Sequence, residues 1–93
     1  MSPMARVQAT AKILNKRGLH ARASAKLVEA AARFKSHVMV GKDGQCVDAR
    51  SIMGLMLLSA PLGSEVEISA AGEDAKEALT AILALIEAKF GEE

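Results

Sequence analysis

The hydrophobic period changes repeatedly along the 93 residues, and this limits the folds that the chain can adopt. Residues 6–14 and 65–70 alternate between apolar and polar side chains, a pattern typical of strands with one buried face. Residues 21–34 and 74–89 instead carry apolar side chains at helical spacing along one stripe. Two amphipathic helices and two half-buried strands must therefore share a core.

The middle of the chain adds a hairpin and a short helix. Residues 38–40 and 46–49 are β-type runs, and Asp43 and Gly44 between them are a strong hairpin signal. Residues 52–58 are too apolar for a loop, so with Ser51 as N-cap we predict about two helical turns there.

The predicted order of elements is therefore βαββαβα. Because a helix with one apolar stripe buries that stripe against another layer, we predict an α+β fold. It is an open-faced two-layer sandwich, with helices on one face of a four-stranded, mostly antiparallel sheet. Residues 1–93 form a single domain, and residues 1–5 are expected to be a flexible N-terminal extension.

Composition argues against several classes of function. Phe34 and Phe90 are the only aromatic residues and the net charge is +1, so the chain lacks the stacking platforms and the positive charge typical of nucleic-acid binders. No apolar stretch is long enough to span a membrane, and no signal peptide is visible. We expect a cytoplasmic monomer without membrane insertion, nucleic-acid partner, metal ion or cofactor.

One histidine stands where a helix should begin. His20 directly precedes a helical pattern, at the N-cap, where unpaired backbone N–H groups and the helix dipole attract anions. With Arg22 beside it, a neutral imidazole can act as a nucleophile and then hold a phosphoryl group. The alternative is a polar residue at a helix start beside a solvated arginine. No catalytic triad, carboxylate pair or metal-ligand spacing accompanies them, so a group carrier is favoured over an enzyme.

Two segments resemble the HPr family, the histidine-containing phosphocarriers of the phosphoenolpyruvate-dependent sugar phosphotransferase system. They are Gly-Leu-His-Ala-Arg-Ala-Ser at residues 18–24 and Arg-Ser-Ile-Met-Gly-Leu-Met-Leu-Leu at residues 50–58, and the resemblance extends over residues 6–90. It implies that phosphorylated enzyme I phosphorylates His20 on Nδ1, that Arg22 helps to hold the phosphoryl group, and that a IIA protein receives it. It also implies that an ATP-dependent HPr kinase/phosphorylase can phosphorylate Ser51, whose simpler role is that of a helix cap.

The short helix also carries a candidate partner surface. Leu55 and Leu58 can face the core, which leaves Ile52, Met53 and Met56 towards solvent as an adaptable apolar patch. The alternative is that all of them are buried. The resemblance implies a surface shared by enzyme I and IIA proteins, to which the first helix contributes Ala21, Ser24 and Ala25. Two basic residues, Arg17 and Lys26, are expected at its rim.

One departure from the family pattern leaves the pathway open. Many family members have proline after the motif arginine, where this chain has Ala23, and this favours a branch that serves regulation more than sugar uptake. The alternative function is therefore a carrier of the nitrogen-related phosphotransfer system. A third possibility is a binding module in which the His20 site is vestigial. His37 and Cys46 are interpreted as strand residues without a functional role.

Overall fold

A computed structural model of the chain describes residues 5–92, with side chains from residue 6. The elements follow the predicted order: β1 (Ala5–Lys12), α1 (Ala21–Ala32), β2 (His37–Lys42), β3 (Gln45–Asp48), α2 (Ile52–Leu57), β4 (Glu65–Gly72) and α3 (Ala75–Glu87). The four strands form one sheet in the order β1-β4-β2-β3, and every neighbouring pair is antiparallel. The open-faced α+β sandwich is confirmed. Of the predicted N-terminal extension, Ala5 is the first residue of β1 and residues 1–4 lie outside the described part.

The alternation of apolar and polar residues in the sequence corresponds to the buried and the exposed face of the sheet. Val66, Ile68 and Ala70 in β4 are buried, as predicted, while Glu65 and Glu67 are exposed. Strand β4 pairs with β1 over the whole length of both strands, from Ala5 opposite Gly72 to Lys12 opposite Glu65. The core between sheet and helices is aliphatic apart from one buried phenylalanine, Phe90. Tight packing of small and branched side chains thus replaces aromatic bulk.

The hairpin between β2 and β3 turns where the sequence indicates. Asp43 has φ 52° and Gly44 has φ 84°. Positive φ at both central residues is the requirement of a type I′ turn, whose twist matches that of the flanking strands. This turn fixes the register that places Val40 opposite Val47.

The C-terminal helix ends earlier than predicted. Helix α3 stops at Glu87, and a 3₁₀ turn over Lys89–Gly91 follows it, with positive φ at each of its residues. Lys89 is therefore not in the last turn of the helix. In this turn the Phe90 ring is completely buried, which adds apolar contact to the core.

Helix α3 also begins with an unexpected contact. Asp74 is its N-cap by position, but its carboxylate makes no hydrogen bond within its own helix. It accepts hydrogen bonds from the Ser36 hydroxyl at 2.6 Å, the Ser36 N–H at 2.9 Å and the Lys35 N–H at 3.0 Å. Asp74 therefore ties the start of α3 to the segment that follows α1.

Candidate functional site

A tight loop between β1 and α1 presents His20. The Gly18 N–H donates to the Asn15 carbonyl at 3.1 Å, and the Leu19 N–H donates to the Ala60 carbonyl at 2.9 Å. Gly18 has φ +68°, and a Cβ there would lie 2.8 Å from the Cα of Pro61, so no other residue fits without displacing backbone. With Leu19 buried beneath it, His20 emerges at the N-cap of α1, as predicted.

The two ring nitrogens of His20 have different partners. Nδ1 accepts a hydrogen bond from the Arg22 N–H at 3.3 Å, in the N-cap geometry. Nε2 lies 2.8 Å and 3.1 Å from the two carboxylate oxygens of Glu92. Since a carboxylate only accepts, Nε2 carries the proton in this arrangement and Nδ1 carries the lone pair. The His20 side chain is 22% exposed, so the ring edge remains accessible.

Glu92 belongs to a small polar network beneath the ring. Asn15 donates from Nδ2 to Glu92 at 2.9 Å and to the Gly18 carbonyl at 2.7 Å. The hydrogen bond from Asn15 and then that from His20 lower the pKa of the Glu92 carboxyl, so it is ionised at neutral pH. Neither Asn15 nor Glu92 was identified from the sequence. The one feature of the sequence that could have indicated Glu92 is Phe90, an apolar residue whose burial brings the C-terminal segment back to the core.

The two arginines lie on the solvent side of the site. Arg22, in the first turn of α1, and Arg17 are both exposed. Among the hydrogen bonds and ion pairs within residues 5–92, none involves either guanidinium group. Arg17 and His20 line a shallow cleft closed on its other side by Ser59, Ala60 and Pro61. Both cations can therefore turn towards an anion on the ring without breaking an existing contact.

Helix α2 has the cap and the faces that the sequence predicts. The Ser51 hydroxyl accepts a hydrogen bond from the Gly54 N–H at 2.9 Å. Leu55 and Leu58 are buried, whereas the outward side chains form an apolar patch: Ile52 at 42% exposure, Met53 at 74%, Met56 at 44% and Leu57 at 74%. Leu57 was not predicted to be part of it. We call these four residues the α2 patch.

Two residues of the predicted partner surface are placed differently by the structure. Ser24 is fully buried and its hydroxyl donates to the Leu19 carbonyl at 3.3 Å, so its side chain offers no surface to a partner. Lys26 is half-buried, and its Nζ donates to the Phe90 carbonyl at 2.6 Å. Lys26 therefore holds the C-terminal segment, instead of forming a free basic rim. Ala21 is exposed and Ala25 half-buried, as a surface role requires.

The remaining candidates have ordinary surroundings. His37 is exposed at the start of β2, where its Nε2 lies 3.1 Å from Asp48. Cys46 is exposed in β3. Within residues 5–92 no cluster of histidine, cysteine or carboxylate side chains could hold a metal ion. No helix in that part of the chain has the length and apolar character of a membrane span.

The chain is similar to known proteins over most of its length. Residues 7–88 match a family model described as "PTS HPr component phosphorylation site". Phosphocarrier protein HPr of Cupriavidus necator is 51% identical over 86 residues, which cover 92% of this chain and 97% of that protein. The crystal structure of HPr-C-His from Thermoanaerobacter tengcongensis has a TM-score of 0.90 at 48% identity, covering 94% and 98% of the two chains. The HPr dimer of that organism gives 0.75 at 49% identity, covering 90% and 97%.

Proposed function

The chain belongs to the HPr family of phosphocarrier proteins of the phosphotransferase system, and from this premise we propose that His20 is its phosphoryl carrier. In this proposal phosphorylated enzyme I, charged by phosphoenolpyruvate, donates the group and a IIA protein receives it. The proposal rests on the different partners of the two ring nitrogens. Nε2 is hydrogen-bonded to Glu92, while Nδ1 faces the first turn of α1 with its lone pair available.

Transfer needs no other reactive group from this chain. The Nδ1 lone pair forms a bond to phosphorus as the bond between phosphorus and the donor atom of enzyme I breaks, and that electron pair stays with the donor. The reverse displacement hands the group to the IIA protein and restores the lone pair on Nδ1. The chain is thus a carrier that is regenerated in each cycle, not an enzyme with its own substrate.

The N-terminus of α1 supports the negative charge of the bound group. When Nδ1 is phosphorylated, the Arg22 N–H loses its present acceptor and becomes free for a phosphoryl oxygen. The Arg22 guanidinium can add a charge-assisted hydrogen bond from the solvent side. Arg17 borders the same cleft and contributes positive potential to it.

Docking of both partners is assigned to the exposed residues around the site. The α2 patch supplies apolar area, and Ala21 and Ala25 extend it along α1, which packs against α2. Exposed methionine side chains adapt to different partner shapes, which suits a carrier that must dock on a donor and on an acceptor.

Ser51 is the proposed regulatory position, phosphorylated by an HPr kinase/phosphorylase. Its Oγ caps α2 by accepting a hydrogen bond from the Gly54 N–H, and the residue is half-buried. The phosphate would add about two negative charges next to the α2 patch. This charge opposes docking of a partner on an otherwise apolar surface.

Ala23 bears on the choice of pathway. Its methyl group is fully buried, so the first turn of α1 is packed into the core without the proline that many relatives have there. Burial of this methyl group does not distinguish a carrier of the sugar system from a carrier of the nitrogen-related system. Capture of IIA proteins on the immobilised phosphorylated chain distinguishes the two branches, because they use different IIA proteins.

We propose that the carrier works as a cytoplasmic monomer.

Intact mass measurement tests the carrier function. After incubation with enzyme I, Mg²⁺ and phosphoenolpyruvate, the chain should gain the mass of one phosphate, and brief acid treatment should remove it. His20→Ala should gain nothing, while His37→Ala should behave like the wild type. An unchanged mass of the wild-type chain with its cognate enzyme I would refute the proposal.

A further inference from the structure

The C-terminal segment is anchored against the His20 site at several points. The Phe90 ring is fully buried, and the Phe90 carbonyl accepts a hydrogen bond from Lys26 at 2.6 Å. From this anchor Glu92 reaches Asn15 and both of its carboxylate oxygens face Nε2 of His20. A buried aromatic ring and side chains from two other segments therefore determine the position of one carboxylate.

We propose that Glu92 is a positioning residue for phosphoryl transfer, holding the proton on Nε2 and compensating the charge that the ring acquires on phosphorylation. The inference rests on the proposed role of His20 and extends it to a residue 72 positions away along the chain. A carboxylate that accepts from one ring nitrogen fixes the tautomer, the orientation of the ring and the availability of the other nitrogen.

The electron count shows why a carboxylate is useful at this place. A neutral ring with its proton on Nε2 attacks phosphorus through Nδ1, and no proton leaves during the step. Both nitrogens are then substituted, so the ring carries a positive charge, which lies next to the Glu92 carboxylate. In the onward transfer the P–N electron pair returns to Nδ1 and the ring leaves as neutral imidazole, again without moving a proton.

Among the described residues, Glu92 is the only carboxylate that is hydrogen-bonded to the ring, and the other charged groups around it are cations. Lys26 and Arg22 on α1 and Arg17 in the preceding loop are cations, and the loop at residues 59–61 contributes no charge. Lys26 also favours the ionised form of Glu92, in addition to the hydrogen bonds from Asn15 and His20 that lower the pKa of its carboxyl. The carboxylate is thus stabilised where it faces Nε2, on the opposite edge of the ring from the phosphoryl position.

Imidazole NMR on the unphosphorylated chain tests the contact without any partner protein. Full-length protein with ¹⁵N-labelled histidine should show a proton on Nε2 of His20 that exchanges slowly with water. Glu92→Ala should lose this slow exchange and bring the two ring-nitrogen shifts closer together. Glu87→Ala removes an exposed carboxylate from α3 and is the matched control, which should resemble the wild type. Indistinguishable spectra for Glu92→Ala and wild type would overturn the proposal.

Transfer kinetics then test the consequence. Enzyme I should phosphorylate Glu92→Ala about tenfold more slowly than the wild type, since a charge-assisted hydrogen bond at a partly exposed position is lost. Glu92→Gln keeps an acceptor but no charge and should lie between them, while Glu87→Ala stays within about twofold of the wild type. A wild-type rate for Glu92→Ala refutes the positioning role. If even the wild-type chain is not phosphorylated, the proposed function fails, and the NMR comparison still decides whether Glu92 orients the ring.

Discussion

At the scale of single residues, His20 combines two tasks that usually belong to different side chains. Its ring caps α1 through Nδ1, and the same nitrogen is the proposed nucleophile. A cap hydrogen bond of 3.3 Å is long, so it can be given up at small cost when phosphorus approaches. The cap position also explains why the ring is accessible although Gly18 and Leu19, directly before it, are buried.

Replacing His20 should separate phosphoryl transfer from folding. We expect His20→Ala to abolish phosphorylation and to lower the free energy of unfolding by only about 1 kcal/mol, the usual effect of losing an N-cap side chain. Mass spectrometry and denaturant unfolding give the two numbers. Loss of cooperative unfolding would contradict this expectation and show that the core needs the ring.

Arg22 should matter for the rate and not for stability. Its guanidinium has no partner among the described residues, so Arg22→Ala should leave the unfolding midpoint unchanged. Transfer from enzyme I should slow by at least about tenfold, because one donor to the developing phosphoryl charge is removed. Arg22→Lys should recover part of the rate through its charge alone. A normal rate for Arg22→Ala would assign phosphoryl stabilisation to the backbone N–H groups instead.

At the scale of elements, α2 carries both the proposed docking patch and the proposed regulatory serine. Six residues are too few to form a stable helix in isolation, so α2 depends on its cap and on the burial of Leu55. The four outward side chains are between 42% and 74% exposed and contribute less to that burial. They are therefore free to serve a partner, and Met53 and Leu57 are the most exposed of them.

A charge on the α2 patch should weaken docking without unfolding the chain. Met53→Glu should raise the Kd for enzyme I by about tenfold, as expected when a well-exposed contact residue in an apolar interface becomes charged. Met39→Glu is the matched control, because Met39 lies in β2 on the sheet face opposite the buried Val38 and Val40. Titration calorimetry measures both. Equal losses for the two variants would place docking elsewhere.

Charge at Ser51 should act on transfer more than on structure. Ser51→Asp can still accept the Gly54 N–H, so α2 should remain folded while the rate of transfer from enzyme I falls. Ser51→Ala removes the cap, at about 1 kcal/mol of stability, and should leave the rate close to that of the wild type. Stopped-flow transfer and thermal unfolding separate these effects. An unchanged rate for Ser51→Asp would eliminate the electrostatic mechanism.

At the scale of the whole molecule, the spacing of apolar residues predicts the fold, because alternation marks the strands and helical spacing marks the helices. Val66, Ile68 and Ala70 alternate in the sequence and are buried in the sheet. The polar network of the site could not be predicted in this way. Asn15 and Glu92 are 77 residues apart and meet only because the turn at Lys89–Gly91 buries Phe90. Ser24 was assigned to the partner surface by the family resemblance, but it is fully buried, and its hydroxyl donates to the Leu19 carbonyl.

Asp74 should make the free energy of unfolding depend on pH in the acidic range. Hydrogen bonds from the Ser36 hydroxyl and the Lys35 N–H lower the pKa of its carboxyl below the ordinary value of 3.8. A lowered pKa in the folded state contributes stability above the unfolded pKa, and that contribution disappears as pH falls towards the folded value. Asp74→Asn should therefore be less stable than wild type at neutral pH, and the difference should shrink below about pH 4. Urea unfolding over this range measures it, and a constant difference would contradict the linkage.

The nitrogen atom that carries the phosphoryl group can be identified directly. The measurement is NMR of the chain labelled with ¹⁵N-histidine after charging by enzyme I and phosphoenolpyruvate, observed through the coupling between phosphorus and nitrogen. We predict coupling to Nδ1 of His20, with Nε2 of the same ring still protonated. Coupling to Nε2, a phosphoryl group on His37, or no phosphohistidine at all would contradict it.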